Sequence, residues 1–482
     1  MKRWQISLVI IFSCTVFAGT FIHKGHDWGD DFAMYLMHAE NIASGKDYGE
    51  TGFIFNEDAP MYAPQDYAPG FPLLLVPAVS LFGQDLYYIR IYLLLFYGLF
   101  LFLIYLLLKD KVANITLYAI LILLGCSAFI VLQANNILSD IPGAVFFLFT
   151  LWLIERALSS KKPAYLQWII IGLTAAFACS VRSTTIVIIP ALIIFVISAQ
   201  RTKWKQLVWM LASFLTCSIS LNALFHVRSN YTNMLLLHYD HKPFVEIAQQ
   251  LWTMLLDYTD AYEDLFIGNM HGIATNTIVF NCLFLLFVAG LVKRLISGPT
   301  YLEWIVIGYW ALVVIWPGYQ GLRYFISLLP VYLLYAFGFL EQFTGKKIYT
   351  ITLSVIFLLA AISIASGLVN AKDTSADYGI TSASAISLFT YIQSEVPEDA
   401  IIMSAKPRAV SYKTERRGIV FPDSADEKSL KKSLDKYQIQ YILLNAYPGY
   451  PAYGESLIKQ DTLSYREIFK NEHWQLFSYA GN

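Results

Sequence analysis

Long apolar runs alternate with short charged clusters along most of the chain. A helix needs about twenty predominantly apolar residues to cross the hydrocarbon core of a bilayer. Runs close to this length recur at residues 5–22, 85–108, 112–131, 141–158, 164–181, 183–198, 207–225, 273–292, 301–316, 322–340 and 348–369. The pattern predicts an α-helical polytopic membrane protein with about eleven transmembrane helices.

Basic residues mark six of the turns between these runs. They are Lys2/Arg3, Lys109/Lys111, Lys161/Lys162, Arg201/Lys203/Lys205, Lys293/Arg294 and Lys346/Lys347. When the spans are counted alternately, all six clusters lie on one side, and Lys and Arg concentrate on the cytoplasmic side of membrane proteins. The longer polar segments are therefore expected on the outside of the cytoplasmic membrane. A cleaved signal peptide is the alternative for the first run, but no clear small-x-small cleavage site follows it.

The remaining polar residues are concentrated in three segments. These are a first loop at 23–68, a second loop at 226–272 and a C-terminal segment at 370–482. In the last segment, helical patterns at 384–395 and 427–436 alternate with apolar strand patterns at 400–403 and 441–444. We therefore predict a transmembrane domain over 1–369, including both loops, and a small external α/β domain over 370–482.

Composition agrees with a membrane protein. Hydrophobic residues make up 57% of the chain and charged residues 14%, compared with about 25% charged residues in average globular proteins. The net charge of −1 gives no sign of a nucleic-acid partner. All five cysteines lie in apolar runs without a CxxC motif, so neither a zinc site nor a disulfide framework is indicated.

The first loop is strongly acidic, and Asp30–Asp31 opens its most regular stretch. Apolar residues then follow at helical spacing, at Phe32, Tyr35, Leu36, Ala39 and Ala43. This spacing predicts an amphipathic helix that lies on the membrane surface. The two carboxylates at its N-terminus fit either a helix cap or a catalytic acid.

The string HDWGDDFAMYLMHAENIASGKDY resembles the first external loop of the GT-C glycosyltransferases. It is most similar to the branch of protein O-mannosyltransferases and the aminoarabinose transferases that modify lipid A. That branch has an acidic pair, an aromatic residue and A-x-x-(I/L)-x-x-G, which correspond here to Asp30–Asp31, Tyr35, Ala39, Ile42 and Gly45. The chain departs from the pattern at Asp31, where the family more often has Glu.

Three further segments carry the same resemblance in the same order. YAPQDYAPGFPLLLVPAVSLFG, which contains Tyr67, is similar to a Pro-rich re-entrant segment. NNILSDIPGAVFFL has Ser139–Asp140 at the mouth of a span, and PGYQGLRYFISLLPVYLL has Arg323–Tyr324 where the family has an Arg-Tyr pair.

The resemblance implies that a sugar on a polyprenyl phosphate is transferred to an acceptor with inversion. Such a displacement needs a general base for the acceptor hydroxyl. We assign this role to Asp30, and expect Asp31 or Asp140 to orient the acceptor or to hold a divalent ion. Mg²⁺ or Mn²⁺ bound by Asp30 and Asp31 is a possible cofactor, since hard cations prefer oxygen ligands.

Cationic residues at the external ends of spans are candidates for the donor phosphate. Arg323, with Tyr324, and Arg182 are assigned to this role, although arginines that only extend to the membrane interface look the same. Tyr67, His241 and Lys242 are candidates for the acceptor or sugar site. Arg408, Arg416 and Arg417 could contact anionic head groups or glycan phosphate, but a solvated face of the C-terminal domain is the favoured expectation.

A transporter or flippase of lipid-linked glycans is the alternative function. Transporters usually carry ionisable groups inside the membrane and repeated halves, and neither pattern is found in this sequence. A transferase in the inner (plasma) membrane is therefore favoured, with a periplasmic C-terminal domain. Its partners would be membrane lipids, a polyprenyl-phosphate sugar and a lipid, glycan or protein acceptor.

The charge asymmetry predicts which residues an impermeant thiol reagent can reach in intact cells. Cysteines introduced at Lys46, Lys242 and Ser429 should react, and one at Lys203 should not. The parent protein gives the background from its own cysteines. Labelling at Lys203, or no labelling at two of the other three positions, would overturn the orientation.

Overall fold

The computed structural model describes residues 2–160, 165–228, 231–240, 242–267, 274–370, 379–424, 426–445 and 463–480, together with Ile458 and Asp461. The chain divides into two compact units. The helical unit comprises Met1–Ile22, Tyr88–Leu224 and His241–Lys372. The mixed unit comprises His23–Tyr87, Phe225–Asp240 and Asp373–Asn482. The first loop and part of the second are thus grouped with the C-terminal segment, whereas the sequence assigned both loops to the transmembrane domain.

Helices dominate the described part of the chain. In chain order they are α1 Arg3–Gly19, α2 Asp30–Ser44, α3 Gly70–Phe82, α4 Leu86–Leu108, α5 Asn114–Cys126, α6 Ala128–Ala134, α7 Asp140–Ser159, α8 Tyr165–Val181, α9 Ile188–Ala199, α10 Trp204–Leu224, α11 Tyr231–Tyr239, α12 Phe244–Asp260, α13 Asp264–Ile267, α14 Ala274–Ser297, α15 Tyr301–Ile315, α16 Leu329–Phe343, α17 Lys346–Asn370, α18 Ala383–Glu395, α19 Pro407–Thr414 and α20 Glu427–Tyr437. The strands are β1 Phe53–Ile54, β2 Ile401–Ser404, β3 Arg417–Ile419, β4 Tyr441–Asn445, β5 Tyr465–Lys470 and β6 Trp474–Tyr479.

The helical unit has the character of a multi-pass membrane protein. Among the described residues, four helices are long and apolar enough to cross a membrane, at Leu86–Leu108, Asp140–Ser159, Arg201–Leu224 and Phe280–Ser297. The pair α5 and α6 is a fifth candidate, bent by 57°. The other apolar helices of the unit qualify only over shorter stretches, such as Lys347–Leu358 of α17, so the total of about eleven spans stays a prediction.

The bend between α5 and α6 lies inside the run that the sequence predicted as one straight span. Ser127 occupies the break, where its hydroxyl accepts a hydrogen bond from the Ile130 amide and donates one to the Leu265 carbonyl, 2.8 Å away. A side chain that satisfies the first amides of a helix favours a new start at that point. The span is therefore interrupted by a local cap.

A six-stranded sheet forms the centre of the mixed unit, in the order β1-β3-β2-β4-β6-β5. Strands β1, β3, β2 and β4 pair in parallel, and β6 pairs antiparallel with β4 and β5. The predicted elements of the C-terminal segment lie within two residues of α18, β2, α20 and β4. Strand β1 was not predicted, since it comes from the first loop and pairs Phe53 with Gly418.

Helix α2 is present where the sequence predicted it, but its surroundings differ. Residues 32–39 are all buried, because α2 packs against both α3 and α19. The predicted surface helix with one open polar face was therefore wrong. Polar residues on α2 are satisfied internally, since His38 Nδ1 lies 2.8 Å from the Tyr48 carbonyl and Asn41 donates to the Glu50 carbonyl at 2.8 Å.

An ion pair attaches the segment before α11 to the first loop. Asp66 is fully buried and Arg228 is about half exposed. The carboxylate accepts hydrogen bonds from the Arg228 backbone amide at 2.9 Å, from Nε at 2.8 Å and from Nη2 at 3.1 Å. A buried carboxylate that loses such a partner destabilises a protein strongly.

Arg228→Gln should therefore lower the free energy of unfolding by about 2–3 kcal/mol, somewhat below the usual range because Arg228 is half exposed. The measurement is thermal unfolding of the purified protein in detergent. Lys432→Gln is the matched control, since Lys432 pairs with Asp58 at the surface at 2.8 Å and should change stability by less than about 1 kcal/mol. Equal effects of the two variants would contradict the prediction.

Candidate functional site

The acid pair begins α2, and its two members lie in different environments. The side chain of Asp30 is 7% exposed and that of Asp31 is 34% exposed. Asp30 Oδ1 accepts a hydrogen bond from the Ala409 amide at 3.0 Å, in the first turn of α19. Asp30 therefore caps α19 of the C-terminal segment. The capping hypothesis had instead expected Asp30 to cap its own helix, α2.

Tyr62 lies between Asp30 and a backbone carbonyl. Its hydroxyl donates to Asp30 Oδ2 at 2.8 Å and lies 3.1 Å from the Ala405 carbonyl oxygen. Burial raises the pKa of Asp30, against the lowering effects of Arg408 and the Ala409 amide. Ionisation of Asp30 is therefore less favourable than that of a solvated carboxyl group.

Arg408 was not predicted as a site residue, yet it lies beside both acids. Its side chain is fully buried, with Nε 3.8 Å from Asp30 Oδ2 and Nη1 3.9 Å from Asp31 Oδ1. Nη1 also donates to the Tyr67 hydroxyl at 2.9 Å, and Tyr67 in turn donates to Asp31 Oδ1 at 2.6 Å. Tyr67, assigned to the acceptor or sugar site, therefore belongs to the acid site.

The expected solvated face of arginines was wrong for two of its three members. Arg408 and Arg416 are buried, and Arg417 is exposed. The available signal was the position of Arg408 directly after the apolar strand pattern at 400–403. In α/β sheets, functional groups collect at the carboxyl ends of parallel strands, and α19 follows β2 at this edge.

The acid pair does not fit the divalent cation that the sequence allowed. Asp30 already accepts from Tyr62 and Ala409, and Asp31 accepts from Tyr67. The buried guanidinium of Arg408 would repel a cation at both carboxylates. Within the described residues, no group of three or more His, Cys, Asp or Glu side chains could hold a metal ion.

A second polar cluster lies in the helical unit around Asp140, the first residue of α7. Arg323 Nε donates to both Asp140 oxygens, at 3.0 and 2.9 Å. Arg182 Nη2 lies 2.8 Å from Asp140 Oδ1 as an ion pair that lacks hydrogen-bond alignment, and its Nη1 donates to the Ser139 hydroxyl at 3.3 Å. Two guanidinium groups thus share one fully buried carboxylate, which gives the cluster a net positive charge.

Neighbouring residues hold the two arginines in place. The Arg182 guanidinium lies over the Tyr324 ring, 5.3 Å from its centroid, and the Tyr324 carbonyl accepts from the Tyr309 hydroxyl. Gly143 on α7 permits the close approach of Arg182, because a Cβ there would lie 2.7 Å from Arg182 Cβ. The structure therefore brings together Arg182, Arg323 and Tyr324, which were predicted for the donor phosphate, with Asp140, which was predicted as a catalytic acid.

The remaining predicted residues come from the second loop. Lys242 donates to Gln250 Oε1 at 3.2 Å within the helical unit. His241 lies outside the described residues.

The raised pKa of Asp30 predicts a pH dependence of stability. A carboxyl group whose pKa is higher in the folded state stabilises the fold at acid pH, and this contribution is lost as the pH rises through the folded pKa. The unfolding midpoint of the wild type minus that of Asp30→Asn should therefore decrease from about pH 4 to pH 8.

Asp426→Asn provides a control of opposite sign for this pH series. Hydrogen bonds from Ser424 and Ser429 lower the pKa of Asp426 to about 2. With the series extended to about pH 2, the corresponding difference should increase up to about pH 4 and stay flat above about pH 5. A flat profile for Asp30→Asn would show that Asp30 titrates equally in the folded and unfolded states.

Comparisons with known proteins agree with the fold and with the motifs. Residues 66–224 match the family model described as dolichyl-phosphate-mannose-protein mannosyltransferase. None of the proteins of curated function matches the sequence.

Two solved structures share the architecture of the chain. The structure of ArnT from Cupriavidus metallidurans bound to undecaprenyl phosphate is 12% identical, with a TM-score of 0.56, and the match covers 100% of this chain and 98% of ArnT. The archaeal oligosaccharyltransferase AglB from Archaeoglobus fulgidus, in complex with an inhibitory peptide and a dolichol-phosphate, is also 12% identical, with a TM-score of 0.56 over 91% of this chain and 69% of AglB. The chain thus has the fold of the GT-C glycosyltransferases and resembles the branch of ArnT and the protein mannosyltransferases.

Proposed function

We propose that the protein is a glycosyltransferase that moves a sugar from a polyprenyl-phosphate donor to an acceptor on the external face of the inner membrane. The acid pair carries the proposal, because it begins the family's first motif and combines a buried carboxylate with a partly exposed one. The lipid phosphates bound by ArnT and AglB support a donor of the same chemical class.

Asp31 is the better candidate for the general base, in place of Asp30. Its side chain is 34% exposed, compared with 7% for Asp30, so an acceptor can reach it. Both Asp30 oxygens already accept or share protons with Tyr62 and Ala409. A base that removes a proton from an acceptor must lie within hydrogen-bond reach of that proton.

The reaction is a single displacement at the anomeric carbon. Asp31 takes the proton of the acceptor hydroxyl as the acceptor oxygen bonds to the anomeric carbon. The bond from that carbon to the donor phosphate oxygen breaks, and the electron pair leaves on the polyprenyl phosphate. The anomeric centre is inverted by this single step.

The cluster around Asp140, taken by itself, is a candidate phosphate site within the helical unit. Guanidinium groups match phosphate oxygens with parallel hydrogen bonds, and positive charge fixed before the reaction stabilises charge that develops during it. Asp140 then acts as a positioning residue, because its oxygens face Arg182 and Arg323. The sequence had grouped Asp140 with the catalytic acids.

The assay for this function uses purified full-length protein with polyprenyl-phosphate sugars. Candidate acceptors are lipid A, Ser/Thr peptides and surface polysaccharide from a deletion strain, and chromatography follows the released polyprenyl phosphate. Release that depends on an acceptor supports a transferase. Movement of lipid-linked sugar between liposome leaflets, without release for any acceptor, would identify the transporter alternative instead.

In this assay, Asp31→Asn should reduce turnover by at least about 10²-fold, which is the usual scale for loss of a general base. Asp30→Asn should reduce it less, since an amide can still share hydrogen bonds with Tyr62. Asp58→Asn serves as the matched control, because Asp58 lies in the same loop and pairs with Lys432 at the surface. If Asp30→Asn were the more damaging change, Asp30 would regain the role of base.

A further inference from the structure

Arg408 determines the direction of a hydrogen bond to Asp31. A guanidinium group has only donors, whereas a tyrosine hydroxyl has one proton to donate and lone pairs to accept. Because Arg408 Nη1 donates to the Tyr67 oxygen at 2.9 Å, the Tyr67 proton is directed to Asp31 Oδ1 at 2.6 Å. The order of donation is therefore Arg408 to Tyr67 to Asp31.

Tyr67 is held in this orientation from several sides. Its ring stacks on Tyr35 with centroids 4.6 Å apart, and the Arg408 guanidinium lies 4.8 Å from its centroid. Its backbone amide donates to His38 Nε2 at 3.4 Å. Burial lowers the pKa of His38 to about 4, so a neutral His38 can accept this bond at ordinary pH.

The burial of Arg408 requires these partners. Isolating a guanidinium from water is costly unless hydrogen bonds and opposite charge compensate. Besides Tyr67, Arg408 donates to the Pro64 carbonyl and lies 4.5 Å from the centroid of the Phe53 ring. All these contacts are to the first loop, although Arg408 belongs to α19 of the C-terminal segment.

We propose that Arg408 is a positioning residue for the catalytic base Asp31 and acts through the Tyr67 hydroxyl. The C-terminal α/β segment then contributes to the catalytic machinery itself. This inference rests on the proposed function, since Asp31 is a base only if the protein transfers a sugar. The charged or titratable groups around Asp31 include Asp30 on its own helix, Tyr62 and Tyr67 on the first loop, and Arg408 on α19. Lys406, just before α19, acts electrostatically on the neighbouring Asp30.

The arrangement has a measurable consequence for protonation. Donation from Tyr67 and the nearby positive charge both favour the ionised carboxylate of Asp31. Removing either should raise the pKa of Asp31, and the acid limb of the pH profile of kcat/KM should move upward by about 1 pH unit. Because Arg408 acts through Tyr67 and also lies 3.9 Å from Asp31 Oδ1, Tyr67→Phe combined with Arg408→Met should shift the limb more than Tyr67→Phe alone but less than the sum of the two single shifts.

Arg408→Lys and Arg416→Met complete the set of variants. Lysine keeps the charge but loses the planar fork, so Arg408→Lys should shift the limb less than Arg408→Met. Arg416 is also buried in this unit, and its guanidinium group donates to the backbone carbonyls of Val396, Thr414 and Gln393. Arg416→Met should therefore lower the unfolding midpoint without moving the acid limb.

A second measurement is independent of transfer. Carbodiimides react with protonated carboxyl groups, so mass spectrometry of the Asp31 peptide after labelling at several pH values gives the titration midpoint of Asp31. The midpoint should rise by about 1 pH unit in Tyr67→Phe and Arg408→Met, and should stay unchanged in Arg416→Met.

The two measurements separate the two proposals. If the midpoint rises as expected but no acceptor supports transfer by the wild type, the positioning role holds and the transferase proposal fails. If transfer is observed and Tyr67→Phe, which hardly changes the size of the residue, moves neither the midpoint nor the acid limb, the positioning role is wrong. If Arg408→Met lowered activity at every pH without shifting the acid limb, Arg408 would have a structural role only, and the positioning role would be wrong.

Discussion

A buried positive charge on Arg408 organises the mixed unit. Four contacts stabilise it, from Pro64, Tyr67, Phe53 and the acid pair, and all are more than 340 residues away in sequence. The pairing of β1 with β3 and the Asp30 cap on α19 also join the first loop to the C-terminal segment. The first loop can hold its acids in one arrangement only when the C-terminal segment is folded against it, so the acid site and the sheet form one cooperative structure.

The helical unit also has a buried charge that is stabilised by partners of opposite sign, but there the central charge is negative. There a single carboxylate, Asp140, is fully buried and two arginines surround it. A buried carboxylate keeps its charge only with such partners, and the arginines in turn keep a fixed geometry without solvent. Gly143 and the Tyr324 ring define the approach of Arg182. Fixed cations of this kind do not need to reorganise when an anion develops beside them, which is the condition for electrostatic stabilisation.

Local patterns in the sequence predicted local structure well. The spacing of apolar residues predicted α2, and short apolar runs predicted β2 and β4, because periodicity records which face of an element is buried. The motif segments predicted Asp140 as a catalytic acid and Arg323 as a phosphate ligand, and Arg182 was added from its place at the end of a span. The structure brings these three side chains together. Sequence spacing could not predict that β1 completes a sheet with β3, since strand pairing at such separation leaves no periodic signal. It misjudged Arg408 for the same reason, because a buried arginine and a solvated one look identical until the partner is known.

Charge balance gives a physical reason for the different roles of Asp30 and Asp31. With both carboxylates ionised and Arg408 positive, the three groups carry one net negative charge in a largely buried place, whereas one retained proton makes them neutral. Ionisation costs more at Asp30, because it is more deeply buried and burial raises its pKa. Asp31 is better solvated and receives the Tyr67 proton, so it holds the negative charge. Two adjacent residues of the same type thereby acquire different states from their environments, as happens where a pair of carboxyl groups divides acid and base roles.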